Sequence, residues 1–154
     1  MNMITRYIFA FVILLLATQA HASDLIMVRS EQPFPETMST LQEIIKQEGY
    51  VVSRVQRVDI GLTKMGYKTD KYRVVFFGKH DEYQRITDAH PELAAYLPLK
   101  IAIFSEGTET LLVTFDPVKF TDMFDHKDLQ KIFIRWSKDV SKILHDVHMV
   151  TENQ

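Results

Sequence analysis

Apolar and polar residues alternate along this chain in two periods, and the places where the period changes mark its elements. Leu25 to Arg29 is a short apolar run that reads as a first strand. Phe34-Pro35-Glu36 opens a helix: proline suits the first turn, where its missing N–H costs nothing, and Glu36 complements the dipole. Met38, Leu41, Ile44 and Ile45 then form one helical stripe, and Gly49 supplies a C′ residue able to take positive φ. Tyr50 to Ile60 is rich in β-branched residues, while Arg54, Arg57 and Asp59 give it a wet face, as near a sheet edge. Gly61 to Asp70 reads as a connection. Lys71 to Phe77 returns to period two, with Tyr72, Val74 and Phe76 on one face and Arg73, Val75 and Phe77 on the other.

His80 to His90 reads as a short helix with Tyr83 and Ile86 inward, and Pro91 interrupts it before another turn over Glu92 to Tyr96. Leu99 to Phe104 and Thr110 to Phe115 form an antiparallel hairpin around Ser105 to Glu109, closed by Asp116-Pro117. The last segment is the clearest helix. Leu129, Ile132, Phe133, Trp136, Val140, Ile143, Leu144 and Val147 keep one apolar face, Asp125 is the expected N-cap, and Trp136 is expected to be buried where the helix meets the sheet. The order is β-α-β-β-α-β-β-α. It implies an α+β fold: a single-domain sandwich of one mainly antiparallel sheet with helices packed on it.

Composition changes this picture at the N-terminus. Arg6, the apolar stretch Tyr7 to Ala17 and Ala20-His21-Ala22 have the three-part form of a secretory signal peptide, with cleavage after Ala22. The apolar stretch is about half the roughly 20 residues a membrane span needs. Residues 1–22 are therefore expected to be removed, leaving 23–154 as one domain that is periplasmic or secreted, with no membrane span. The chain has 154 residues and no cysteine, which excludes disulfides, thiolate metal sites and thiol nucleophiles. A net charge of -2 gives no basic surface for nucleic acid.

The stretch Pro91-Glu92-Leu93-Ala94-Ala95-Tyr96-Leu97-Pro98-Leu99-Lys100-Ile101-Ala102-Ile103-Phe104, with its hairpin and Asp116-Pro117 ending, resembles the family called domain of unknown function 302. Ser30 through Thr37, Leu41, Gly49-Tyr50, Asp59-Ile60, and Tyr72 through Gly78 resemble its earlier strands and helix. The resemblance is clearest over residues 25–118. After Phe77-Gly78 the family often continues Asn-Pro, where this chain has Lys79-His80. The resemblance implies a compact α+β domain that can associate as a homodimer. It implies no reaction.

Candidate chemistry is sparse. His90, Lys100 and Glu106 are the candidate ligand-binding residues, being polar groups of the most recognisable segment together with Glu92 and Asp116. A histidine with carboxylates nearby suits general acid–base work, so a small hydrolase or isomerase using His90 is the alternative to a non-catalytic binding or interaction module. No Gly-rich phosphate loop, HExxH or Gly-x-Ser-x-Gly occurs, and no catalytic residue is assigned. His145 and His148 share a helix face, but two ligands do not complete a metal site, so no metal or cofactor is expected. Lys131, Arg135, Lys138 and Lys142 are interleaved with Asp128, Asp139 and Asp146, which reads as a solvated face of paired charges. The expected partners are a second copy, and an unknown small molecule or periplasmic protein.

Overall fold

The computed structural model describes residues 24–152, so the leader and its cleavage site lie outside the described residues. Five strands form one antiparallel sheet: β1 (Leu25–Ser30), β2 (Val51–Arg57), β3 (Tyr72–Gly78), β4 (Leu99–Glu106) and β5 (Glu109–Phe115), in the spatial order β1-β5-β4-β3-β2. The helices are α1 (Phe34–Gln47), α2 (Val58–Lys64), α3 (His80–Ala89), α4 (Phe120–Met123) and α5 (Lys127–Glu152), with 3-10 turns at Pro91–Ala95 and Pro117–Lys119. Among the described residues no helix is long and apolar enough to cross a membrane.

Local chemistry explains the boundaries. At the end of α1, Gly49 has φ 75°, its N–H donates to Lys46 O, and the Tyr50 N–H reaches back to Ile45 O. This pair of bonds is the Schellman arrangement, and its usual apolar contact is available between Ile45 and Tyr50, both buried. The β4–β5 turn is tighter than the sequence suggests. Glu106 pairs with Glu109, so only Gly107 and Thr108 form the loop, and the positive φ of Gly107 matches a II′ turn. Asp116 caps the segment after β5 by accepting the Val118 N–H.

Two expectations are corrected. Residues 58–64 are helical, so the second strand stops at Arg57 instead of running to Ile60, and the connection begins later. None of its residues is buried, so α2 carries no apolar stripe to announce it; Asp59 is held to β3 by Arg73. The last helix starts at Lys127, and the His126 carbonyl accepts the Gln130 N–H, which makes His126 the flanking residue and leaves Asp125 outside.

α1 and α5 pack together on one face of the sheet. The core between them holds Leu41, Ile44 and Ile45 of α1, and Val75, Phe77, Leu99, Ile101, Ile103 and Leu112 of the strands. The α5 stripe joins it as expected: Leu129, Phe133, Trp136, Val140, Ile143, Leu144 and Val147 are buried, and Ile132 packs at the margin. Tyr83 ties α3 to this layer. Its hydroxyl donates to Phe77 O at 2.7 Å and accepts the Leu99 N–H at 2.8 Å, and its ring lies where a Cβ on Gly78 would sit. Gly78 is thus demanded by close approach as well as by the end of a strand.

The opposite sheet face carries Met27, Tyr72, Val74, Phe76, Ala102, Phe104 and Val113, in register across β1, β5, β4 and β3. None of these belongs to the buried core, and all are partly or largely exposed. An antiparallel sheet with one wet face normally alternates apolar with polar, and here the centre of that face is apolar, bordered by Arg29, Arg54 and Lys100.

Trp136 is 1% exposed; its ring meets Tyr83 edge-on at 6.0 Å and its Nε1–H donates to Glu82 Oε2 at 3.0 Å. Trp136→Ala should cost about 3–5 kcal/mol, read as a lower midpoint in denaturant. The native emission should be that of a buried indole; an exposed-type spectrum and an unshifted midpoint would contradict this docking of α5.

Candidate functional site

The site is assembled from two connections. The first runs from α3 to β4 through the Pro91–Ala95 turn, and the second from β5 to α5 through Asp116, Pro117 and α4. Pro91 and Pro117 open the two 3-10 turns, and Asp116 caps the second. Tyr96 of the first meets Phe120 and Phe124 of the second, each at 5.4 Å between ring centroids and close to edge-on. Phe120 also packs on Phe115 at 5.2 Å and on Phe133 of α5 at 5.4 Å.

Beside this aromatic cluster is a cavity of about 300 Å³, lined by Tyr96, Leu99, Lys100, Thr114, Phe115, Pro117, Phe120 and Met123. The lining is almost wholly apolar, with exposed Lys100 its one charged residue. Thr114 is committed elsewhere: its hydroxyl donates to Lys100 O at 2.7 Å, which pins β4 to β5 at the pocket floor. A larger, more open depression of about 650 Å³ involves Asp59, Lys64, Asp70 and Lys71, four charged residues. Apolar walls with a few placed polar groups are the usual chemistry of a small-molecule site, and the Lys100 cavity has it at the lower end of the usual size.

The three sequence candidates fall in different neighbourhoods. Lys100 lines the apolar pocket. Glu106 lies at the far end of β4, six residues on and so about 20 Å away, where it accepts from Arg29 at 2.7 Å. His90 lies between α3 and the 3-10 turn, only 16% exposed, and its Nε2–H donates to Asp128 Oδ2 at 3.0 Å. This bond holds the Asp128 carboxyl below the usual carboxylate range. Glu92 and His126 stand beside it, with the His90 and His126 rings 4.6 Å apart. A cavity of about 200 Å³ next to His90 is lined by Glu82, Arg85, Ile86, Ala89, Asp128, Leu129 and Ile132.

Sequence reasoning missed Phe115, Phe120 and Met123 as pocket residues, and His126 and Asp128 as neighbours of His90. The only local hint was the aromatic density around Asp116-Pro117. Of the other histidine pair, His148 bonds Arg29 O through Nδ1 at 2.9 Å. Two members of the basic stripe of α5 are paired, Arg135 with Glu82, and Lys142 with Glu48 at 2.5 Å and Asp146 at 2.6 Å.

Comparison with known proteins agrees with this architecture. Residues 26–147 match the family described as Domain of unknown function DUF302. No curated protein matches the chain. Among solved structures, an uncharacterized conserved DUF302 protein from Bacillus stearothermophilus superposes with a TM-score of 0.74 at 21% identity, over 82% of this chain and 99% of that one. At that identity the likeness speaks for the fold alone.

Proposed function

The chain belongs to the DUF302 family, and from that premise we propose that it is an exported, non-catalytic binding module that takes a small, largely apolar anion into the pocket beside Lys100. The observation that carries this reading is the lining itself: aromatic and aliphatic walls with one lysine and no carboxylate. Apolar burial would supply most of the affinity, and the ammonium would select for negative charge and fix orientation. Export rests on the three-part leader, and it would place the pocket among molecules of the periplasm or the medium. N-terminal sequencing of the protein from a periplasmic extract should begin at Ser23; recovery of the full-length chain only with membranes would overturn export.

Anilinonaphthalene sulfonate, an apolar anion, is a direct probe of the pocket. The protein should bind one equivalent with enhanced fluorescence. Lys100→Glu should weaken binding at least about tenfold, the scale of one charge-assisted contact. Met123→Trp should weaken it by filling the space. Equal binding by the protein and both variants would mean that the dye sits elsewhere, and the pocket reading would fall.

The alternative, a small hydrolase or isomerase using His90, draws support from the approach of Glu92 and Asp128 to the imidazole. The cavity beside His90 brings it no hydroxyl nucleophile, so binding is the better-supported reading.

Self-association is the second part of the proposal. β2 is an edge strand, but a bulge between Val52 and Arg54 and its arginines blunt it against pairing. Val55 packs against the core, so it is no test of that edge. The uncovered apolar face of the sheet is the better surface, and a second copy offers the same patch across a two-fold axis. Sedimentation equilibrium at micromolar concentration should give the dimer mass, and Val74→Lys should give the monomer with the fold intact by circular dichroism. A monomer that persists on raising the concentration tenfold would end the dimer proposal.

A further inference from the structure

His90, Glu92 and His126 each offer a ligand atom, and these atoms all lie within 4.8 Å of one another. Glu92 Oε1 is 3.6 Å from His90 Nδ1 and 3.5 Å from His126 Nε2. Both separations exceed those of a hydrogen bond, whose mode is about 2.9–3.0 Å. They are close to the roughly 3.3–3.5 Å between two ligands of one tetrahedral ion with bonds of about 2.0–2.1 Å. The two imidazole rings are tilted by 53° with their centroids 4.6 Å apart.

Behind this group stands a fourth residue. His90 Nε2 lies 3.0 Å from Asp128 Oδ2, and the opposite ring nitrogen, Nδ1, faces Glu92. A carboxylate holding the far nitrogen of a ligating histidine is the usual support of a metal site. Nothing in the sequence pattern joins these residues. His90 and Glu92 flank the break between α3 and the 3-10 turn, and His126 and Asp128 flank the start of α5.

We propose that His90, Glu92 and His126 bind one divalent first-row transition ion of the zinc type, with Asp128 positioning His90. Two imidazoles and one carboxylate suit zinc, cobalt, nickel or copper, and exclude the calcium and magnesium pattern of oxygen ligands. Three protein ligands leave a position for water or an incoming group. Glu92 and His126 are each 44% exposed, so the ion is exchangeable and a chelator removes it. When bound, it ties the α3–β4 connection to the first turn of α5.

Calorimetric titration of the untagged, chelator-treated protein with zinc chloride tests this. One equivalent should bind, cobalt should take the same place and give a visible spectrum of low coordination number, and the melting point should rise with free zinc. His126→Ala and Glu92→Gln should each weaken zinc at least about tenfold without lowering the melting point of the metal-free protein. Asp128→Asn should weaken it about 10–100-fold while keeping one-to-one stoichiometry. His145→Ala/His148→Ala should leave it unchanged. The site is refuted if the protein binds no stoichiometric zinc, if His126→Ala and Glu92→Gln bind it as the parent does, or if only the His145→Ala/His148→Ala variant loses it.

Discussion

Helix α5 lays seven buried side chains, from Leu129 to Val147, against α1, β1 and the turn after β5. Everything else in the fold is arranged around that burial. A five-stranded sheet alone cannot keep its apolar positions dry, and the two long helices supply the cover for only one face. Polar groups sharpen the docking. Trp136 and Arg135 both bind Glu82 of α3, Tyr50 donates to Asp139 at 2.5 Å, and Lys142 reaches Glu48 at the end of α1. Burial and the Asp139 contact raise the Tyr50 pKa, so this hydroxyl remains a donor throughout the ordinary pH range. The result is a helix fixed in rotation as well as in position.

That fixation matters for the chemistry because α5 begins at the site. Its first turn carries Asp128 and is preceded by His126, so the angle at which the stripe docks sets where the imidazole and the carboxylate stand relative to His90. The Tyr83 hydroxyl, bridging Phe77 O and Leu99 N, does the same for the other connection. It locks α3 to the start of β4, and so fixes the residues between them, from His90 to Pro98, at both ends.

Long amphipathic stretches were legible in the sequence because burial imposes a period. The α1 and α5 stripes, the faces of β3 and the hairpin partners all follow from it. Residues 58–64 were not, since Val58 and Ile60 carry β propensity and Gly61 reads as a break, while the helix has no buried side to impose a helical period. Its tie to the sheet is tertiary: Arg73 on β3 holds Asp59. The pocket and the histidine cluster were illegible for a different reason. Lys100 and His90 were picked out as polar residues in a recognisable stretch, but their neighbours Phe120 and His126 come from a distant connection. No periodicity links two loops; only the docking of the elements that carry them does.

Both constellations are built from the same two connections at one end of the molecule. The α3–β4 segment gives His90 and Glu92 to one, and Tyr96, Leu99 and Lys100 to the other. The β5–α5 segment gives His126 and Asp128 to the first, and Phe115, Phe120 and Met123 to the second. The contacts of Tyr96 with Phe120 and Phe124 are the seam between them. Loops held on a rigid scaffold are where proteins place recognition, because their residues are free of the packing that fixes helices and strands. Here the scaffold holds the first loop at both ends, through the Tyr83 bridge at its start and the pairing of β4 at its finish.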